Sequence, residues 1–188
     1  MLFRSVRLFD ESNRALRLGD GLTQRLLRNY RAIDKLNQQD PQGAIAALAM
    51  PVEPVAASFD LAKLSVGEID MPLAEQINRE SSGLKRLGAV DLGLSDIERA
   101  EILDAQADAL KATAARLQGH YDVAVAGFEA ASRRLEAVRG GRVASAGWLR
   151  SEIQIELALL AEAQGRKGDS GVAFDRAISL IEIGRAHV

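Results

Sequence analysis

The sequence predicts an all-α protein, organised as an α-α superhelix of about eight antiparallel helices. The main observation is a spaced pattern that occurs twice in the second half of the chain. Its first copy comprises Gly119, Tyr121, Ala124, Phe128 and Ala131. Its second copy, 46 residues later, comprises Gly165, Lys167, Ser170, Phe174 and Ala177. Such self-similarity is typical of stacked repeats, in which each unit buries its apolar face against the next one.

Composition agrees with this class. Hydrophobic residues make up 47% of the chain but aromatic residues only 4%, so the interior must consist mainly of Ala and branched aliphatic side chains. Small alanine side chains let helices approach each other closely. No alternation of apolar and polar residues indicates a β-strand.

Residues 6–93 are predicted to form degenerate helical repeats. Apolar spacing and helix-stop signals favour helices at residues 22–36, 41–50, 55–64 and 70–87. Asp40 is expected to cap the second of these, with Pro41 in its first turn. In that helix, Ala44 and Leu48 have the same spacing as the Ala and Phe of the later pattern.

Residues 94–181 are predicted to form two long helical hairpins, 94–142 and 143–181. Ser95 and Glu98 make a capping box that opens a helix to about residue 118. A second arm over 121–138 ends at a Gly-rich break, and the next helix runs from 144 or 145 to 164. Asp169 or Ser170 is expected to cap the last helix.

The two ends are interpreted as tails derived from a sequencing adapter, at residues 1–5 and 182–188. Met1–Ser5 resembles the translation of one strand of a short-read adapter, and Glu182–His187 resembles the translation of its complement. Residues 6–181 would then be an internal part of a longer protein, and a leader peptide could not be judged from them. The compartment stays open on this interpretation, with the cytoplasm favoured.

Charge and composition argue against several functional classes. The chain has 24 basic and 26 acidic residues and no cysteine, so neither a basic surface for nucleic acid nor a thiol site is predicted. The longest apolar run, Ala44–Val52, is too short to span a bilayer. We therefore expect no nucleic acid and no membrane as partners.

No catalytic, metal or cofactor site is predicted. Gly168–Gly171 reads Gly-Asp-Ser-Gly, as around a serine-protease nucleophile, but that chemistry needs a histidine base and an oxyanion hole. His120 is expected in a solvated turn, without a second ligand for a metal. The chain is expected not to be an enzyme.

The repeated pattern resembles the tetratricopeptide repeat. In that family a small residue lies where the two helices cross, an alanine opens the second helix, and a large ring fills the groove between them. The resemblance assigns repeat packing to Ala112, Tyr121, Ala124, Phe128, Ala131, Ala158, Phe174 and Ala177. The aromatic signature of the first helix is nearly absent, and the spacing exceeds the usual length of about 34 residues. An unrelated amphipathic hairpin is the alternative interpretation.

A narrower resemblance concerns Trp148–Ile153 and Leu160–Arg166. These segments are similar to repeats that precede the caspase-like CHAT peptidase domain in bacterial proteins. Such a domain would need a His and Cys pair outside this chain, because the chain has no cysteine.

The tetratricopeptide resemblance implies that the first helices of the hairpins line a concave face. Partner contact is therefore assigned to Gln106, Thr113, Arg116, Glu152, Ile155 and Leu159, with Ala109 and Glu162 alongside. The expected ligand is a peptide or helix anchored on Ile155 and Leu159. The alternative is that these two side chains pack against an adjacent repeat.

Two functions follow from the resemblance. The favoured one is a protein–protein interaction scaffold that recruits or senses a partner for an effector domain outside this chain. The alternative is a regulatory sensor arm of a signalling ATPase or transcription regulator, which binds a small ligand.

Overall fold

The computed structural model describes residues 21–55, 94–141 and 143–186. These ranges contain six α-helices, not eight, together with a short 3-10 helix and no β-strand. The helices are α1 (Gly21–Asn37), α2 (Pro41–Leu48), α3 (Asp96–Leu117), α4 (Tyr121–Ala137), α5 (Ala144–Ala163) and α6 (Lys167–Ala186). The helices expected at 55–64 and 70–87 lie outside the described residues, as do residues 1–5.

Two helix starts follow the predicted capping chemistry. The Ser95 hydroxyl accepts from the Glu98 amide at 3.2 Å, and the Glu98 carboxylate accepts from the Ser95 amide at 2.8 Å. This reciprocal capping box satisfies backbone donors at the start of α3. The Asp40 carboxylate likewise accepts from the Gly43 amide at 2.8 Å and caps α2. Both caps are confirmed.

The predicted cap of the last helix is wrong. α6 begins at Lys167, so Asp169 and Ser170 lie in its first turns rather than before it. Ser170 is buried, and its hydroxyl lies 3.2 Å from a carboxylate oxygen of Glu162, to which it donates a hydrogen bond. α6 also continues to Ala186, beyond the predicted end at residue 181.

The three hairpin turns have one conformation. Gln39, Gly119 and Gly165 take positive φ angles of 59°, 80° and 74°. In each turn the next amide N–H donates to the carbonyl oxygen five residues earlier, at 2.8–2.9 Å. This is the Schellman ending of a helix, which favours glycine at the left-handed position. The α1–α2 hairpin is therefore in register with the two later ones, although its turn uses glutamine.

Small residues occupy the helix crossings in this shared register. Each hairpin has a buried alanine seven residues before the left-handed residue of its turn: Ala32, Ala112 and Ala158. Gly127 of α4 lies directly over the second of these, since a Cβ atom added at Gly127 would be 2.9 Å from the Ala112 Cβ atom. The paired helices thus approach more closely than larger side chains would allow.

Two apolar clusters join the hairpins in series. One lies between α1, α2 and α3 and includes Leu36 and Leu48. The other lies between α3, α4 and α5 and is centred on Phe128, Leu135 and Ile153, which are fully buried. α3 therefore packs on both sides, against α1–α2 and against α4–α5. The described part is a helical, repeat-like stack, and its superhelical course stays a prediction.

The two phenylalanines of the repeated pattern have different surroundings. Phe128 has no exposed surface, whereas Phe174 is only half-buried. α5 covers the α4 face that includes Phe128, but no described helix covers the corresponding face of α6. The expectation that both rings pack between hairpins holds fully for Phe128 alone.

No described helix has both the length and the apolar character needed to cross a bilayer.

Candidate partner-binding cleft

A cleft of about 390 Å³ opens between α1, α3 and α5, the first helices of the three hairpins. Its walls are mainly apolar, with a few polar groups. Its lining comprises Ile33, Leu36, Asn37, Gln106, Ala109, Leu110, Thr113, Phe128, Leu149, Glu152, Ile153, Ile155 and Glu156. An apolar concavity with a small number of polar groups is the usual form of a ligand site.

The structure brings most of the predicted partner-contacting residues to this cleft. Four of the six line it: Gln106, Thr113, Glu152 and Ile155. The other two, Arg116 and Leu159, lie beside it on the same helices rather than in its lining. Ile155 is 38% exposed and Leu159 is 37% exposed, so no described helix covers either of them fully. Of the two interpretations of this pair, their exposure favours a free surface over packing against a described repeat.

α1 contributes a wall that the sequence reasoning did not name. Ile33 and Leu36 line the cleft, and in the shared turn register they correspond to Thr113 and Arg116. The sequence did indicate this wall, because the spacing of Ala44 and Leu48 places the first hairpin in the same register as the others. Extending the register from that spacing would have identified this wall.

The two carboxylates of the cleft differ in their partners. The Arg116 Nε atom donates to Glu156 at 2.7 Å, in an ion pair whose side chains are both largely buried. Glu152, one helical turn before Glu156, has no hydrogen bond or ion pair with any described residue. Burial at the cleft wall raises the pKa of Glu152, and repulsion from the Glu156 charge raises it further. Glu152 is nevertheless exposed overall, so the cleft has an unpaired carboxylate that is accessible from solvent.

A hydrogen-bonded chain orients Gln106. The Asp104 carboxylate accepts from Arg28 at 2.9 Å, and Arg28 Nε donates to the Asn29 side-chain oxygen at 3.3 Å. The Asn29 amide nitrogen then donates to the Gln106 side-chain oxygen at 2.9 Å and to the Leu103 carbonyl at 2.7 Å. Asn29 is only 1% exposed. Because the Gln106 oxygen is occupied, its NH₂ group is the part that remains able to donate into the cleft.

Other candidate chemistry in the described residues is accounted for by local contacts. His120 is exposed in its turn and makes no side-chain cap. The Asp169 carboxylate accepts from Arg166 at 2.7 Å, in the Gly-Asp-Ser-Gly segment. The basic residues at the end of α4 are likewise paired: Arg133 with Glu129, and Arg139 with Glu98. In the described ranges, no cluster of His, Cys, Asp and Glu could hold a metal ion.

No protein-family model matches the chain, and neither a curated protein nor a solved structure matches it. The tetratricopeptide and CHAT resemblances therefore stay predictions from the sequence.

Proposed function

We propose that the chain is a protein–protein interaction module, a tetratricopeptide-like repeat segment whose cleft receives a segment of a partner protein. The observation that carries the proposal is the cleft itself, because three successive hairpins contribute one helix each to a single concavity. Repeat proteins commonly use such extended concave surfaces for binding. We propose further that the module recruits or senses that partner for an effector domain outside this chain.

The lining has apolar residues that could anchor a bound segment and polar groups that could set its register. Ile33, Leu110 and Ile155 form apolar wall on α1, α3 and α5, and Leu159 extends it along α5. Burying an apolar side chain of the partner among them would favour binding by about 25 cal/mol per Å² of apolar surface removed from water. The unpaired polar groups, such as Thr113, would then fix the register of the segment.

Selection from random peptides tests the proposal, because it does not require the partner to be identified first. A phage-displayed library is selected on the wild-type chain, and affinities of the selected peptides are measured by calorimetry. Ile155→Glu and Leu159→Glu should each abolish binding while leaving the helical circular dichroism intact. Val172→Glu is the matched control, because Val172 is an exposed apolar residue on α6 outside the cleft lining. Peptides that bind Ile155→Glu as tightly as the wild type would refute a role of the cleft.

The second candidate is a regulatory arm that binds a small ligand. The observation in its favour is the cleft volume of about 390 Å³, which lies in the range of small-molecule sites. A screen of small metabolites by thermal shift separates the two candidates. A compound that stabilises the wild type but not Ile155→Glu, in a chain that selects no peptide, would favour the regulatory arm.

A further inference from the structure

The charges around the cleft do not balance. Glu152 and Glu156 are its only ionisable lining residues, since α1 and α3 contribute apolar or uncharged polar side chains. Arg116 is not part of the lining, and its Nε atom already donates to the Glu156 carboxylate at 2.7 Å. The described residues offer Glu152 no cation.

We propose that the segment bound in the cleft carries a lysine or arginine side chain that pairs with Glu152, next to an apolar side chain that packs on Ile155. The inference rests on the proposed function and specifies the chemistry of the partner. Glu152 and Ile155 lie three residues apart on α5, so they present neighbouring positions on one helix face. A basic residue adjacent to an apolar one matches that spacing.

The energetics favour a cation at this position. The Glu152 side chain is exposed and has no cationic partner, and desolvation at the cleft wall together with the Glu156 charge raises its pKa. An incoming ammonium or guanidinium group would form a charge-assisted hydrogen bond with this carboxylate, and such bonds are stronger than neutral ones. An acidic residue at the same place in the segment would meet two glutamates, Glu152 and Glu156, and be rejected.

The opposite wall adds a second constraint. The Gln106 NH₂ group, oriented through Asn29, is a donor, so it favours an acceptor such as a backbone carbonyl of the bound segment. Acceptor contact on α3 and cation contact on α5 would together fix the orientation of the segment across the cleft.

The test is a set of parallel peptide selections on folded variants of the chain. Wild-type selections should enrich Lys or Arg at one position beside an apolar residue, and Glu152→Lys should reverse that preference to Asp or Glu. Glu129→Lys is the matched control, because it makes the same charge change on α4, where the Glu129 side chain is 60% exposed. It should leave the basic preference unchanged.

Affinity measurements add a quantitative readout. A selected basic peptide should bind Glu152→Gln about two- to fivefold more weakly than the wild type, as expected for one ion pair with an exposed carboxylate. Its affinity for the wild type should fall with added salt, and this salt dependence should be smaller for Glu152→Gln. Circular dichroism establishes that each variant keeps its helical content.

The outcomes separate the inference from the proposed function. If selected peptides lose binding to Ile155→Glu but show no basic preference, the cleft binds partners and the inference about Glu152 is overturned. A basic preference that persists in Glu152→Lys would overturn it as well. If no selected peptide depends on Ile155, the proposed function fails together with the inference.

Discussion

Replacing Gly127 by alanine tests whether α3 and α4 cross at a distance set by small residues. The added Cβ atom would lie 2.9 Å from the Ala112 Cβ atom and 3.5 Å from its Cα atom. Carbon atoms in favourable contact are about 3.5–4.0 Å apart, so the helices must separate by several tenths of an ångström. Overpacking of this kind costs about 1–3 kcal/mol, whereas the gain in helix propensity is about 1 kcal/mol. We expect a net loss of up to about 2 kcal/mol.

Gly171→Ala is the matched control on α6. A Cβ atom added there meets no heavy atom within 4 Å, so only the propensity gain remains. That gain should stabilise the fold by about 0.5–1 kcal/mol. The same substitution is therefore expected to change the free energy of unfolding with opposite signs at Gly127 and Gly171.

Urea unfolding followed by circular dichroism measures both changes. The midpoint should fall for Gly127→Ala and rise for Gly171→Ala, with little change in the dependence on urea concentration. If both variants were stabilised to the same extent, α3 and α4 would not be in close contact at this crossing, and the deduced packing of the hairpin would be wrong.

Three further predictions concern named side chains. Phe128→Ala should lower the free energy of unfolding by about 3–5 kcal/mol and Phe174→Ala by clearly less, because only Phe128 is fully buried; equal losses in urea unfolding would contradict the packing. Hydrogen bonds from Arg139 and Ser95 lower the pKa of Glu98 to about 2, so Glu98 stabilises the fold above pH 4.5 and this contribution disappears as pH falls towards 2. Thermal unfolding of Glu98→Gln should therefore show a weaker loss of stability over that interval than the wild type. Glu152 has a raised pKa in the folded state, so its contribution is retained below pH 4.5 and lost as pH rises; Glu152→Gln should raise the melting temperature at pH 7 but not at pH 4.

Helix boundaries were predictable wherever local chemistry determines them. The capping box at Ser95 and the glycines at the left-handed positions of two turns are signals within a few residues of each other. The start of α6 was missed because Asp169 and Ser170 look like capping residues. The repeated pattern aligns Gly165 with Gly119 and so indicates a start at Lys167, just as α4 starts at Tyr121 two residues after its own turn glycine, but the capping signal was followed instead.

The cleft was predictable in part for the same reason. Gln106 and Glu152 followed from the register of the two clear hairpins. The prediction did not extend this register to α1, whose turn has Gln39 in place of glycine. The contacts from Asn29 to Gln106 and from Arg116 to Glu156 could not be predicted. They join residues 77 and 40 positions apart, and they depend on the distance between hairpins, which the local sequence pattern does not encode.

The distribution of ion pairs distinguishes Glu152 from the acidic residues at the junctions between hairpins. The Asp104 carboxylate forms ion pairs with Arg25 and Arg28, with N–O distances of 2.9–3.1 Å, and Glu156 forms one with Arg116. These carboxylates at the junctions between hairpins are therefore paired within the chain. A residue of the chain placed to pair with Glu152 would remove its desolvation penalty, but it would also occupy the cleft. Under the proposed function, leaving this exposed carboxylate unpaired keeps the cleft accessible to a basic segment. Filling the cleft with a basic segment would relieve that penalty, so a bound basic peptide should raise the melting temperature of the wild type more than that of Glu152→Gln at equal saturation.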